Sequence, residues 1–263
     1  MNMDIKNISI IVIILILLYV LIRYVAGGSA AVHTGVASAL ETHVIKASAL
    51  AAGTSLQSAA ANFSHCIWFY IDDWNYNYGT YKPLLVRAPA KVAKEPLVKG
   101  LYIENVCPAV ILGAHNNTID IYQTIFNVNG AGENTHTVDD IDYNLTKVSN
   151  VPIQKWCCLI VSFNGRTCDV YLDGKLIRTT VMANLAKVDK SADMKITPVI
   201  DAGTGSFKGW TSNYQFISDS INPQQAYDIY KKGFGQNWLS SLLNVDVTVS
   251  VSKNGKVTKE VSF

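Results

Sequence analysis

Two tight-turn signals nine residues apart constrain this chain more than any other feature. Asn164-Gly165 and Asp173-Gly174 separate three runs rich in β-branched and apolar residues: Trp156 to Phe163, Cys168 to Leu172, and Lys175 to Val181. Asn-Gly and Asp-Gly pairs reach positive φ at low cost, which is what hairpin turns demand. The segment therefore reads as a three-stranded antiparallel meander. Further short runs show the same signature upstream: Cys66 to Ile71, Lys82 to Arg87, Leu97 to Ile103, Ala109 to Leu112 and Thr118 to Phe126, the last after a His115-Asn116-Asn117 turn. No long helical period interrupts them, so an all-β antiparallel sandwich is the expected architecture. One helix is expected near the end, capped by Asn222, begun by Pro223 and stopped by Gly233, with Ala226, Ile229 and Tyr230 on one face. Val245 to Phe263 alternates and turns at Asn254-Gly255, which predicts a terminal hairpin.

The N-terminal part is of another kind. Residues Ile8 to Ala26 are almost wholly apolar. Nineteen residues of helix span roughly 28 Å, close to the hydrocarbon thickness of a bilayer. Arg23 and Tyr24 flank one end, where they suit a membrane interface. Gly28-Ser29-Ala30 offers a rival reading as a signal-peptide cleavage site. The retained anchor is the favoured one, with lipid as its partner. Its orientation stays open, since one Lys on one side faces one Arg on the other. Residues 27–61, rich in Ala, Ser, Gly and Thr, read as a stalk, with 36–52 either helical or extended. The expected layout is thus 1–26 anchor, 27–61 stalk, 62–240 β-sandwich and 241–263 hairpin.

Charge excludes one class of partner. The formal net charge is +2 with no long basic block, which speaks against a nucleic-acid binder. The five cysteines, Cys66, Cys107, Cys157, Cys158 and Cys168, form no metal-binding or redox spacing and read as buried free thiols. Sequons at Asn62, Asn116 and Asn144 point weakly toward a secretory route.

The sandwich region resembles a family. From Trp156 the chain reads WCCLIVSFNGRTCDVYLDGKLIRTTVM, similar to the signature of concanavalin A-like, laminin-G-type jelly rolls, with Val170, Tyr171, Asp173, Gly174, Lys175 and Leu176 at the marked positions. A second segment, from Gly205 with Phe207, Gly209, Tyr230 and Gly233, resembles that family's closing strand and helix. Phe63 to Asp72 is more weakly similar to its first aromatic strand. The resemblance covers about 63–240. It implies a jelly-roll fold, with Trp156 and Tyr171 between the sheets and Gly174 and Gly209 in turns. These motifs are a fold fingerprint and say little of function.

Chemistry is thinly represented. Glycosidases of this fold need two close carboxylates, yet no two of Glu41, Glu95, Glu104, Glu133 and Glu260 lie within six residues of each other. No G-x-S-x-G or phosphate-loop motif occurs. A non-enzymatic protein is expected, without a required cofactor. Asp139, Asp140 and Asp142 form the one carboxylate cluster and are the candidate calcium ligands, against a bland reading as a solvated loop. The candidate recognition loop is Asp72, Asp73, Trp74, Asn75, Tyr76, Tyr78 and Tyr81, whose aromatics would stack on sugar rings or anchor a protein contact. An anchored β-domain of this kind resembles membrane-linked minor capsid proteins of large DNA viruses with an internal lipid layer. The leading expectation is a structural protein contacting neighbouring subunits of such an assembly; the alternative is a lectin-like surface or virion protein that binds glycans.

Overall fold

The computed structural model describes residues 30–51, 62–89, 95–98, 101–126, 135–138, 141–200, 204–235, 248–253 and 256–262. The expected anchor, 1–26, lies outside them. Among the described residues no helix is long and apolar enough to cross a membrane.

Among the described residues thirteen strands form two antiparallel sheets. They are β1 (Ala30–Ser38), β2 (His43–Ile45), β3 (Phe63–Asp73), β4 (Lys82–Arg87), β5 (Ala109–Leu112), β6 (Ile119–Thr124), β7 (Thr135–Val138), β8 (Ile141–Val148), β9 (Trp156–Asn164), β10 (Thr167–Leu172), β11 (Lys175–Val181), β12 (Met194–Ile196) and β13 (Lys208–Ile217). The six-stranded sheet runs β1-β13-β3-β9-β10-β11 and the seven-stranded sheet β2-β12-β4-β5-β6-β8-β7. The expected β-sandwich and its β9-β10-β11 meander are both present. A short helix, α1 (Ala47–Ala51), follows β2, and α2 (Pro223–Lys231) follows β13. The terminal hairpin, β14 (Thr248–Lys253) and β15 (Lys256–Ser262), forms its own two-stranded sheet.

Two turns show how local chemistry sets register. In the second, Asp173 (φ 52°) and Gly174 (φ 73°) lie between paired Leu172 and Lys175, so both central residues are left-handed. The Asp173 carboxylate also accepts from the Cys158 N–H at 2.9 Å and meets Lys155 Nζ at 2.7 Å. In the first turn Asn164 is still paired, with Thr167; Gly165 and Arg166 are the central residues, and only Gly165 is left-handed. The turn is therefore one residue later than the Asn-Gly pair predicts.

Three apolar clusters explain why so few charges suffice. The main core lies between the sheets, with Ile67, Phe69 and Ile71 from β3, Leu159, Val161 and Phe163 from β9, and Leu85, Val110, Leu112 and Ile121 opposite. A second cluster covers the outer face of the seven-stranded sheet, where Leu97, Leu101 and Ile103 pack on Val86, Ile111 and Tyr143. A third lies under α2, on the outer face of the six-stranded sheet. Both sheets are thus buried on two faces across their central strands, and β5 and the first half of β9 read as unbroken apolar runs.

Several expectations are corrected here. The described part of the stretch read as stalk joins the sheets: β1 pairs with β13 and β2 with β12, and only Ala47–Ala51 is helical. Small residues such as Gly35 and Ala37 give no strand signal; the waiting edge of β13 recruits them. The described residues of the expected strand Leu97 to Ile103 form no strand. Val98 and Leu101 make a single bridge, and the segment works as an apolar cover. Trp156 and Tyr171 do not sit between the sheets. On β9, Cys157, Leu159, Val161 and Phe163 take the inner face, so Trp156, Cys158 and Ile160 must face outward, toward α2. Gly209 is not a turn residue but lies within β13, where a Cβ would collide with the Tyr70 carbonyl oxygen. All five cysteines are free and buried. Burial pushes the thiols of Cys66, Cys157 and Cys168 up to about 12, which keeps them protonated and unreactive.

Candidate recognition site

Strand pairing gathers four connections at one end of the sandwich. Lys82 opposes Leu112, so the loop before β4 and the turn after β5 are neighbours. Tyr70 opposes Trp156, which brings in the segment before β9, and Asp73 opposes Lys208, which brings in the segment before β13. The β3–β4 loop, residues 74–80, is the centre of this group.

Its backbone is pinned from all sides. Asn75 N–H donates to Asp73 Oδ1 at 2.9 Å and Tyr78 N–H to the Asn75 carbonyl at 3.0 Å. Gly79 N–H reaches the Ala114 carbonyl at 3.0 Å, which ties the loop to the β5–β6 turn. Asn77 Nδ2 donates to the Ser206 carbonyl at 3.0 Å, and Gly205 N–H to that of Tyr81 at 2.9 Å. A Cβ on Gly205 would lie 2.8 Å from Asn77 Nδ2, so a larger residue would push aside the side chain that bonds Ser206. Asn77 (φ 52°) and Gly79 (φ 83°) provide the left-handed turns. Nearby, Asn117 and Val151 exchange two bonds, and Gln154 N–H reaches the Ile71 carbonyl at 2.8 Å.

The structure divides the expected recognition residues. Trp74 and Tyr81 turn inward, Trp74 onto the main core and Tyr81 onto the second cluster. Lys82, 1% exposed, lies below the loop with Nζ 5.5 Å from the centre of the Trp74 ring and 3.4 Å from the Thr80 carbonyl. Burial lowers its pKa from the usual amine value. Tyr76 and Tyr78 turn outward, 39% and 60% exposed. Asp72 is drawn aside by Lys208 Nζ, 3.5 Å away, and Asp73 by the Asn75 amide. Asn75 is exposed. In the sequence His115 is only part of a turn, yet its ring stands edge-on to Tyr78, 5.2 Å between centroids. Asn116 beside it is exposed as well. Their sequence distance from the loop hid them; only the β4–β5 pairing brings them there.

The calcium cluster is not assembled by the described residues. Asp139 and Asp140 lie outside them. Asp142 is buried on β8, where Oδ1 accepts from Thr137 Oγ1 at 2.7 Å across the β7–β8 pair. Among the described residues no three His, Cys, Asp or Glu side chains come together as a metal site.

No protein-family model matches the chain, and no curated protein matches it. Solved structures that resemble it include binding domains of botulinum neurotoxins. The serotype G binding domain is 12% identical with a TM-score of 0.49, over 76% of this chain and 45% of that one. The receptor-binding domain of the mosaic serotype C/D is 11% identical with a TM-score of 0.49, over 75% and 41%. The serotype D ligand-binding domain, in complex with N-acetylneuraminic acid, is 12% identical with a TM-score of 0.48, over 77% and 41%. The chain spans less than half the length of each of these.

Proposed function

We propose that this chain is a non-enzymatic binding module, a concanavalin A-like jelly roll that recognises carbohydrate through its β3–β4 loop. The observation that carries the proposal is the exposure of Tyr76 and Tyr78 on a backbone held by two neighbouring connections. A rigid aromatic side chain can cover a sugar face at little entropic cost. His115 stands edge-on to Tyr78, and its chain neighbour Asn116 and the loop's Asn75 are exposed; all three are side chains that exchange hydrogen bonds with hydroxyls. This small, polar-rimmed aromatic surface suits a hydroxyl-rich ligand better than an apolar protein face. The run 8–26 would hold the module at a membrane, and anchorage there strengthens weak contacts through effective concentration.

Glycan-array and calorimetric binding with full-length protein in detergent tests this. Saturable binding is expected, weakened about tenfold or more in Tyr76→Ala/Tyr78→Ala, since one stacked ring is worth on the order of 1–2 kcal/mol. Absence of glycan binding, or binding indifferent to both substitutions, would refute it. Release of the full-length protein from membranes by alkaline carbonate would refute the anchor. A second reading, a minor capsid protein linking a viral inner membrane to its shell, is favoured by an exposed strand edge far from the loop in sequence. It predicts incorporation into particles that survives loss of both tyrosines.

A further inference from the structure

The four sheet edges differ in how they are protected. β2 has three residues and β7 four, too short to template another strand. β1 is longer, but its pairing with β13 is broken twice, around His33. β11 is a seven-residue edge of the six-stranded sheet, and six of its residues are exposed. It carries no proline and no carboxylate. Ile177 and Val181, both β-branched, are 41% and 61% exposed.

Hydrogen-bond phase shows which groups point away from the sheet. Met182 N–H donates to the Arg166 carbonyl at 2.7 Å. Bonded and non-bonded pairs alternate along an antiparallel ladder. The next pair, Thr167 with Val181, is therefore non-bonded between these strands, as is Asp169 with Thr179. The tight turn at Gly165-Arg166 agrees, because it commits Thr167 to bonds with Asn164 on β9. The backbone groups of Thr179 and Val181 face outward. A register shift between Val170 and Tyr171 leaves Ile177 as the extra residue at the start of this edge.

We propose that β11 pairs with β11 of a second copy, antiparallel about a two-fold axis at Thr179, joining the two six-stranded sheets into one of twelve strands. In this register Thr179 faces the partner's Thr179, and Ile177 faces the partner's Val181. The backbone groups of Thr179 and Val181 lie in the outward-bonding phase, and Ile177, the extra residue at the register shift, adds its exposed side chain to the match. Exposed apolar side chains meet each other, and the positive charges are kept apart: Arg178 falls opposite the partner's Thr180, and Lys175 opposite the partner's Ala183. The neighbouring in-phase registers, centred on Ile177 or Val181, leave one of these apolar side chains without its match. A two-fold strand pair is a self-complementary interface that closes and does not propagate along this edge.

Analytical ultracentrifugation of the full-length protein in detergent is the test, with three variants. Wild type forms a concentration-dependent dimer. Ile177→Lys/Val181→Lys shifts its dissociation constant up at least tenfold. Thr179→Pro does the same, because it removes an outward N–H and no ladder bond to β10. Thr179→Cys cross-links to its counterpart across the axis, while the native buried thiols stay silent. Circular dichroism and melting temperature show that each variant is folded. A monomeric wild type, a dimer that survives the first two variants, failure of the Thr179→Cys cross-link in a proven dimer, or a different protein captured on this edge by the monomer would each overturn the proposal.

Discussion

The two faces of the six-stranded sheet are built from the same strands yet carry different burdens. On β9, Leu159, Val161 and Phe163 point inward and are completely buried against the other sheet. Trp156, Cys158 and Ile160 point outward, and α2 with its flanking residues covers them. There Trp156 stacks on Phe234 at 4.3 Å between centroids, and Trp68 on Tyr230 at 5.6 Å. The inner face is sealed by a sheet that many long-range pairings hold. The outer face depends on one helix of nine residues, whose seat and cap must be right. Equal hydrophobicity therefore does not mean equal cost when a side chain is lost.

Truncation tests this most directly. Phe163→Ala leaves a large void between the sheets, next to the stacked Phe63, and is expected to cost about 3–5 kcal/mol. Chemical denaturation of the detergent-held protein measures it. Trp156→Ala on the other face should cost less, about 2 kcal/mol, because the ring is only half-buried. Equal losses for the two would erase the distinction between the faces.

A third test is specific to the inner face. His65 is buried there, its Nδ1 2.8 Å from the Tyr214 hydroxyl, with Phe63 and Phe216 beside it. Burial first, and the Arg87 charge second, hold its pKa well below the usual 6.5. Below that pH the unfolded chain takes up a proton that the folded chain refuses. Stability is therefore intact above about pH 6.5 and falls as the pH drops toward the folded pKa, by at most about 1.4 kcal/mol per pH unit. His65→Phe should lower stability at neutral pH, since Tyr214 loses its partner, but flatten this slope. Melting temperatures from about pH 7 down to about pH 5 measure it; an unchanged slope would assign the acid sensitivity elsewhere.

The smallest effect belongs to the helix cap on the outer face. Asn222 accepts from Gln225 N–H at 2.9 Å, and Gln225 Oε1 accepts from Asn222 N–H at 2.8 Å. Asn222→Ala should cost about 1 kcal/mol. It should also raise amide exchange in Pro223–Lys231 more than in β9. Uniform loosening of both would show that helix and sheet open together.

Much of this layout was legible in the chain. The Asp-Gly turn, the β9-β10-β11 meander and the capped helix rest on local chemistry: positive φ, a missing proline N–H, side-chain caps. Opposite facing of Cys157 and Cys158 follows from the two-residue period of a strand. The candidate site was half legible. Its aromatic loop stands out in composition, but the division into inward Trp74 and Tyr81 and outward Tyr76 and Tyr78 does not, because the loop has no period to read.

Sequence alone determined the Asp173-Gly174 turn, the β9-β10-β11 meander and the capped helix, and that the interior would be apolar with free thiols, since these depend on neighbours along the chain. Tertiary structure decided which apolar face meets which layer, why Trp156 lies under a helix, and why Gly35 and Ala37 sit in a strand. It also placed His115 beside Tyr78 and, among the described residues, left β11 as an open edge. Those outcomes depend on pairing between strands tens of residues apart, and a strand's sequence records that it has two faces without recording what will cover either.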